Sequence, residues 1–329
     1  MAHRLEGAAG APIVLLGDVF ERAGLLGFCT SDSHRQVSDA GCAQHGSADA
    51  QLAAILGPYT RSFAGHPLVA LAGSVDHAGD PDATQAACAR VPAAGPGWRW
   101  VARGCELDDA HPLTRLDAGA LVLVLADSAA MLADDAFRAR ALAALHAELA
   151  TLRQERPDAW LLLAMQQPLE SYGARNGADL ATAVHKDLYP VTGTLLWPIV
   201  RPIEWLVGRR AENLYEWPVR GLRRDVYQAL ADSPVDAVLS GQDESLQLME
   251  LERGARWQIV SGAGSDKSRV KRIFLESEPR LLFAAGRGDD FRSGYGFVAI
   301  AASPQKLRVE FWDMAVKQPL FVAELVRPH

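Results

Sequence analysis

The sequence predicts an α/β fold in which two mixed sheets pack together with helices outside, a four-layer α/β/β/α sandwich. Three observations carry this expectation. Short apolar runs that stop at glycine or polar residues alternate with segments of helical spacing. From Leu246 onward the apolar runs follow one another closely with turn residues between, as antiparallel strands do. The 329-residue chain is 49% hydrophobic and 22% charged, a globular composition that excludes disorder, collagen and coiled coil. No repeat or long linker divides it, so one domain is expected over residues 13–329, preceded by an unstructured Gly/Ala-rich segment, 1–12.

The elements follow in order. Residues 12–16 form an apolar run ending in Gly17-Asp18, read as a buried strand and its exit loop. Residues 48–63 have helical spacing through Leu52, Ile55, Leu56 and Tyr59. Further strands are expected at 68–72 and 121–126, then a long helix over 134–153 that ends before Pro157. Strands at 159–165 and 235–239 precede the closely spaced set at 246–251, 257–260, 281–285, 295–301 and 307–312.

Charge and hydropathy narrow the function classes. The net charge of −7 excludes a globally basic nucleic-acid binder, and no nucleic-acid partner is expected. The best candidate for a membrane span, 191–207, is broken by Pro198, Arg201, Pro202 and Glu204, so a soluble protein is expected. No signal peptide is legible in the first residues. Cytoplasmic location is the default, and a periplasmic or exported one follows if the native start lies upstream. The four cysteines (Cys29, Cys42, Cys88, Cys105) include no C-x-x-C pair and make no disulfide scaffold, so a reducing compartment is expected, with a Cys29–Cys42 bridge left open. Cys42-x-x-His45 lacks the second half of a zinc site.

In open α/β sheets function sits in the loops at the carboxyl ends of the strands. Five exits are legible: Gly17-Asp18, Gly73-Ser74-Val75-Asp76, Ala126-Asp127, Met165-Gln166-Gln167-Pro168 and Gly241-Gln242-Asp243-Glu244. Their order, spacing and flanks, including Ser245-Leu246-Gln247-Leu248 and Gln258-Ile259-Val260-Ser261, resemble the calcineurin-like metallophosphoesterases, in the bacterial branch similar to purple acid phosphatases. The blocks G-D-N-x-Y, G-N-H-D, G-H-x-P and G-H-D-H of that family are matched at Asp18, Ser74, Gln166 and Gln242 respectively.

The resemblance implies a fold of the metallophosphoesterase type with its first strand missing, because residues 1–12 leave no room for that strand and its crossover. It also implies a pair of metal ions sharing a bridging aspartate, here Asp18, that activate a hydroxide for in-line attack on phosphorus. The other positions have changed. The asparagine ligand is Ser74, the catalytic histidine is Val75, and the histidine ligands are Gln166, Gln242 and Glu244. The histidine before glycine is Asn176, and none of the nine histidines falls in these blocks. An amide oxygen is a weaker transition-metal donor than imidazole, and Val75 can neither give nor take a proton.

The expectation is therefore a degenerate homologue, a pseudo-phosphoesterase kept for binding or interaction. No cofactor is expected, or at most a divalent cation (Mg, Mn, Ca or Zn) at reduced stoichiometry. The alternative is an active hydrolase with a rebuilt, carboxylate-rich site: Asp18 and Glu244 as ligands, helped by Glu21, Asp76 or Asp243. Asp18 also reads as a loop aspartate capping a helix or turn after Gly17. Gly262-Ala263-Gly264-Ser265 reads as a tight turn, since no G-K-[ST] follows. Ser171, Asp179 and His185 lack the elbow of a hydrolase triad. An aromatic and basic insertion at about residues 190–224 places Trp197, Trp205 and Trp217 among Arg201, Arg209, Arg210, Arg220, Arg223 and Arg224. That mix suits a protein or membrane-surface partner, which makes docking through it the second alternative.

Overall fold

The computed structural model describes residues 11–16, 56–57, 60–73, 88, 98–173, 217–243, 245–263, 279–285, 295–313 and 316–327. The chain divides into two compact units, Met1–Gln166 and Gln167–His329. It is a mixed α/β protein with several sheets.

In the first unit, β1 (Ile13–Leu16), β2 (Leu68–Leu71) and β3 (Trp98–Val101) form a parallel sheet in that order. Residues 56–57 and 60–62 of the expected helix are helical, and Thr60 accepts the indole N–H of Trp98 at 2.9 Å, tying helix to sheet. β4 (Leu113–Ala118) and β5 (Leu121–Ala126) make an antiparallel hairpin, with Gly119 at φ +64°, the left-handed backbone that a two-residue connection demands. β5 then pairs in parallel with β6 (Trp160–Ala164). Every residue of β5 and β6 is buried, which is why these strands read as continuous apolar runs rather than alternations.

The crossover between them is helical. α1 (Ser128–Ala133) is capped by Asp127, and α2 (Asp135–Glu155) by Asp134, whose carboxylate accepts the Ala136 and Phe137 N–H groups at 2.8 and 3.0 Å. Phe137, Ala141, Leu145, Leu149 and Leu152 of α2 are buried at three- and four-residue spacing, the stripe that holds the helix to its unit.

In the second unit, α3 (Trp217–Ala229) precedes β7 (Val235–Ser240), β8 (Leu246–Glu250), β9 (Ala255–Ser261) and β10 (Leu281–Ala284). These strands hydrogen-bond in the order β10-β8-β9-β7, with β7 and β9 parallel and the other pairs antiparallel. β11 (Gly296–Ala302), β12 (Lys306–Asp313) and β13 (Phe321–Val326) form a separate antiparallel meander. Phe283 of β10 meets Phe311 of β12 at 4.7 Å and stacks on Phe321 of β13 at 4.8 Å, joining the two strand sets through aromatic packing. The antiparallel sheet expected from Leu246 onward thus begins later: β8 and β9 extend the set of β7, and only β11–β13 stand apart. Strand periodicity says which residues are extended but not which neighbour they pair with.

A second difference concerns cysteine. Cys88 and Cys105 are joined in a disulfide, with Cα atoms 5.4 Å apart and a sequence separation of 17, so the expected absence of structural bridges does not hold for this pair. Cys29 and Cys42 lie outside the described residues, as do residues 1–10. No described helix is long and apolar enough to cross a membrane.

Candidate functional site

The β5 exit of the first unit is held by capping. At the β5 exit Asp127 is fully buried; one carboxylate oxygen accepts the Ala130 N–H at 2.9 Å and the other the Arg103 N–H at 2.8 Å. It closes α1 and fastens the turn after β3. The Arg103 guanidinium continues that link, bonding Asp134 at 2.7 Å and lying over the Phe137 ring at 4.6 Å. The N–H of Phe137 and the Arg103 guanidinium hold the Asp134 carboxyl below its ordinary range. At the β6 exit, Gln166 is fully buried and its N–H donates to the Ser128 hydroxyl at 3.0 Å.

The β7 exit in the second unit gathers a cluster of buried polar side chains. Asp243 is 1% exposed, and its Oδ2 accepts the Ser171 hydroxyl, the Gly173 N–H (2.8 Å) and Gln247 Nε2 (3.0 Å). Gln247 Nε2 also lies within 3.0 Å of Ser171 Oγ and 2.6 Å of Ser245 Oγ. At Gly173 any Cβ would fall inside the Asp243 carboxylate, so only glycine lets the backbone come this close.

These polar side chains serve a stretch of backbone. Residues 169–173 are not a strand, and their donors need partners once buried. Gln258 Oε1 accepts the Leu169 N–H at 3.0 Å, Gln247 Oε1 the Tyr172 N–H at 2.9 Å, and Asp243 the Gly173 N–H. Gln258 Nε2 in turn donates to Val238 O and Ser240 Oγ of β7, at 3.1 and 3.0 Å. The amides thus act as side-chain substitutes for a neighbouring strand. Beside them, Glu170 accepts the Tyr227 hydroxyl at 3.2 Å and pairs with Arg280 at 3.2 Å, so α3 is tied to the same segment. Burial, reinforced by the Glu170 carboxylate, pushes the Tyr227 phenol well above its ordinary pKa.

Of the residues singled out from sequence, Gln166, Gln242, Asp243 and Ser171 are described and buried, and Arg220, Arg223 and Arg224 of the insertion are described within α3 and not buried. Ser171 is brought to Asp243 and Gln247; Asp179 and His185 lie outside the described residues. So do Asp18, Glu21, Ser74, Val75, Asp76, Asn176 and Glu244, and in the aromatic and basic insertion Trp197, Trp205, Arg209 and Arg210. Trp217 opens α3. Sequence reasoning did not find Gln247 and Gln258 as partners of residues 169–173. A signal was present, since both are polar residues inside runs that are otherwise apolar.

Among the described residues no three His, Cys, Asp or Glu side chains converge on a point where a metal could sit. Gln166 and Gln242 offer neutral amides, and the Asp243 oxygen that faces its neighbours is already an acceptor for three internal donors.

No family model matches the chain, and no curated protein matches it. Among solved structures the chain is similar to GAP50, the anchor in the inner membrane complex of Plasmodium, at 16% identity and a TM-score of 0.45, over 80% of this chain and 67% of that one.

Proposed function

We propose that this chain is a calcineurin-like phosphoesterase homologue without binuclear hydrolysis, built as one four-layer α/β/β/α sandwich over residues 13–329 and retained for binding or interaction. The observation that carries the reading is the β7 exit. At the block where the resemblance expects histidine ligands, Gln242 is buried and Asp243 points inward to Ser171, Gly173 and Gln247. A carboxylate engaged by three internal donors holds backbone in place rather than presenting itself to a cation or a water. The sequence adds that Val75 cannot protonate a leaving group and that neutral amides stand where imidazoles would bind metal.

The test is metal content by elemental mass spectrometry after growth with Mn, Fe and Zn, paired with hydrolysis of an aryl phosphate. Substoichiometric metal, unchanged in Asp18→Ala, together with no turnover, is the expected result. About two equivalents of metal that disappear in Asp18→Ala, with turnover lost alongside, would overturn it in favour of a rebuilt site around Asp18 and Glu244. The interaction role is assigned to the segment carrying Trp197, Trp205, Arg209, Arg210 and Trp217. Liposome or pull-down binding left intact by Trp205→Ala and Arg209→Ala would remove that assignment.

A further inference from the structure

We infer that this chain matures in an oxidising compartment, where Cys88 and Cys105 close a permanent cross-link across β3. The two cysteines flank that strand, one before it and one in the turn after it, and their Cα separation of 5.4 Å lies within the range that a disulfide spans without backbone movement.

The turn presents Cys105 in a fixed place for reasons independent of sulfur. Cys105 N–H and Leu107 N–H both donate to Ala102 O at 3.1 Å, and Gly104 N–H donates to Leu107 O at 2.8 Å. Arg103, two positions before Cys105, is fastened to Asp127 and Asp134. Arg99 and Glu106 form an ion pair, and Glu106 also accepts the Thr114 hydroxyl at 2.6 Å. Folding therefore carries Cys105 to one position, onto which Cys88 is then closed.

Other uses of a cysteine pair fit less well. A thiol-redox motif has its cysteines three positions apart, whereas these are separated by 17. A zinc site needs further ligands, and none converges on the pair among the described residues. Both residues are half-buried, so a disulfide-carrying thiol oxidoreductase can reach them. One thiolate attacks the oxidant's disulfide to give a mixed disulfide, and the second then displaces the oxidant as its dithiol. Two electrons and two protons leave the chain in all. Reducing compartments reverse this reaction, so persistence of the cross-link places the folded chain outside them.

The experiment isolates the full chain from its own cells under acid quench, alkylates it without reductant and maps the cysteine peptides. The expected result is a linked peptide pair containing Cys88 and Cys105 that separates on reduction. Recovery of both residues singly alkylated would overturn the inference. A second measurement follows unfolding with and without a dithiol reductant. Closing a loop of 17 residues corresponds to roughly a hundredfold change in the unfolding equilibrium constant. Reductant should produce that change in the wild-type chain and none in the Cys88→Ser/Cys105→Ser double variant. If the double variant fails to fold, the wild-type comparison alone decides, and a wild-type chain indifferent to reductant would refute the cross-link.

Discussion

Replacing Asp243 by alanine separates a structural carboxylate from a functional one, because the two roles predict opposite signs. In the structure its Oδ2 accepts from Ser171, Gly173 and Gln247 at a site that is 1% exposed. Hydrogen bonds to a charged acceptor contribute about 1.5–3 kcal/mol each, and three within one network do not add fully. Removing the acceptor leaves buried neutral donors unpaired at about 1–3 kcal/mol each, so a total of about 3–5 kcal/mol is expected from the three together. For the compact unit Gln167–His329, that corresponds to a fall in Tm of roughly 10 °C. Chemical denaturation of wild type, Asp243→Ala and Asp243→Asn measures it, with the asparagine variant falling between because it keeps the volume and one acceptor. A carboxylate held ready for a metal or substrate behaves otherwise, since removing its charge commonly raises stability. A rise in Tm, or a loss below about 0.5 kcal/mol, would refute the structural role of Asp243 and with it the reading of the β7 exit.

Three further outcomes are expected. Gly173→Ala drives a methyl into the Asp243 carboxylate and should cost about 1–3 kcal/mol by denaturation, most of it absent when Asp243 is already alanine. Asp127→Ala removes the α1 cap and the acceptor of the Arg103 N–H and should cost about 1–2 kcal/mol in the same assay; no measurable loss would mean that the cap is dispensable. Asp134 has a lowered folded pKa, set first by the Phe137 N–H and then by Arg103, so its contribution is in place above the unfolded value and is lost as pH falls through the folded one. The gap in denaturation midpoint between wild type and Asp134→Asn should therefore shrink as pH drops below about 4, and a gap independent of pH would contradict the assignment.

Much of the fold was legible because burial on both faces writes a strand into the sequence as an apolar run. β5, β6 and β7 are such strands, and α2 shows its stripe from Phe137 to Leu152. β3, β4 and β13 carry no such mark. β3 is four residues long with Arg99 inside it, and β4 is half-exposed along its length, so its sequence mixes Thr, Arg and Asp with leucine. α1 is a six-residue helix that only its Asp127 cap and its position before α2 reveal.

The sequence by itself determined where the doubly buried strands and the long helix α2 lie, that polar residues follow those strands, and that imidazoles are missing from them. These are local properties, readable from periodicity, caps and residue type. Tertiary structure alone decided what the polar side chains do. Ser171 meets Asp243 across 72 residues and Leu169 meets Gln258 across 89, while Cys88 finds Cys105 around an intervening strand. Nothing in a local window specifies such pairings. They arise when packing removes water from backbone donors that have no strand beside them, and the nearest buried acceptors then become their partners.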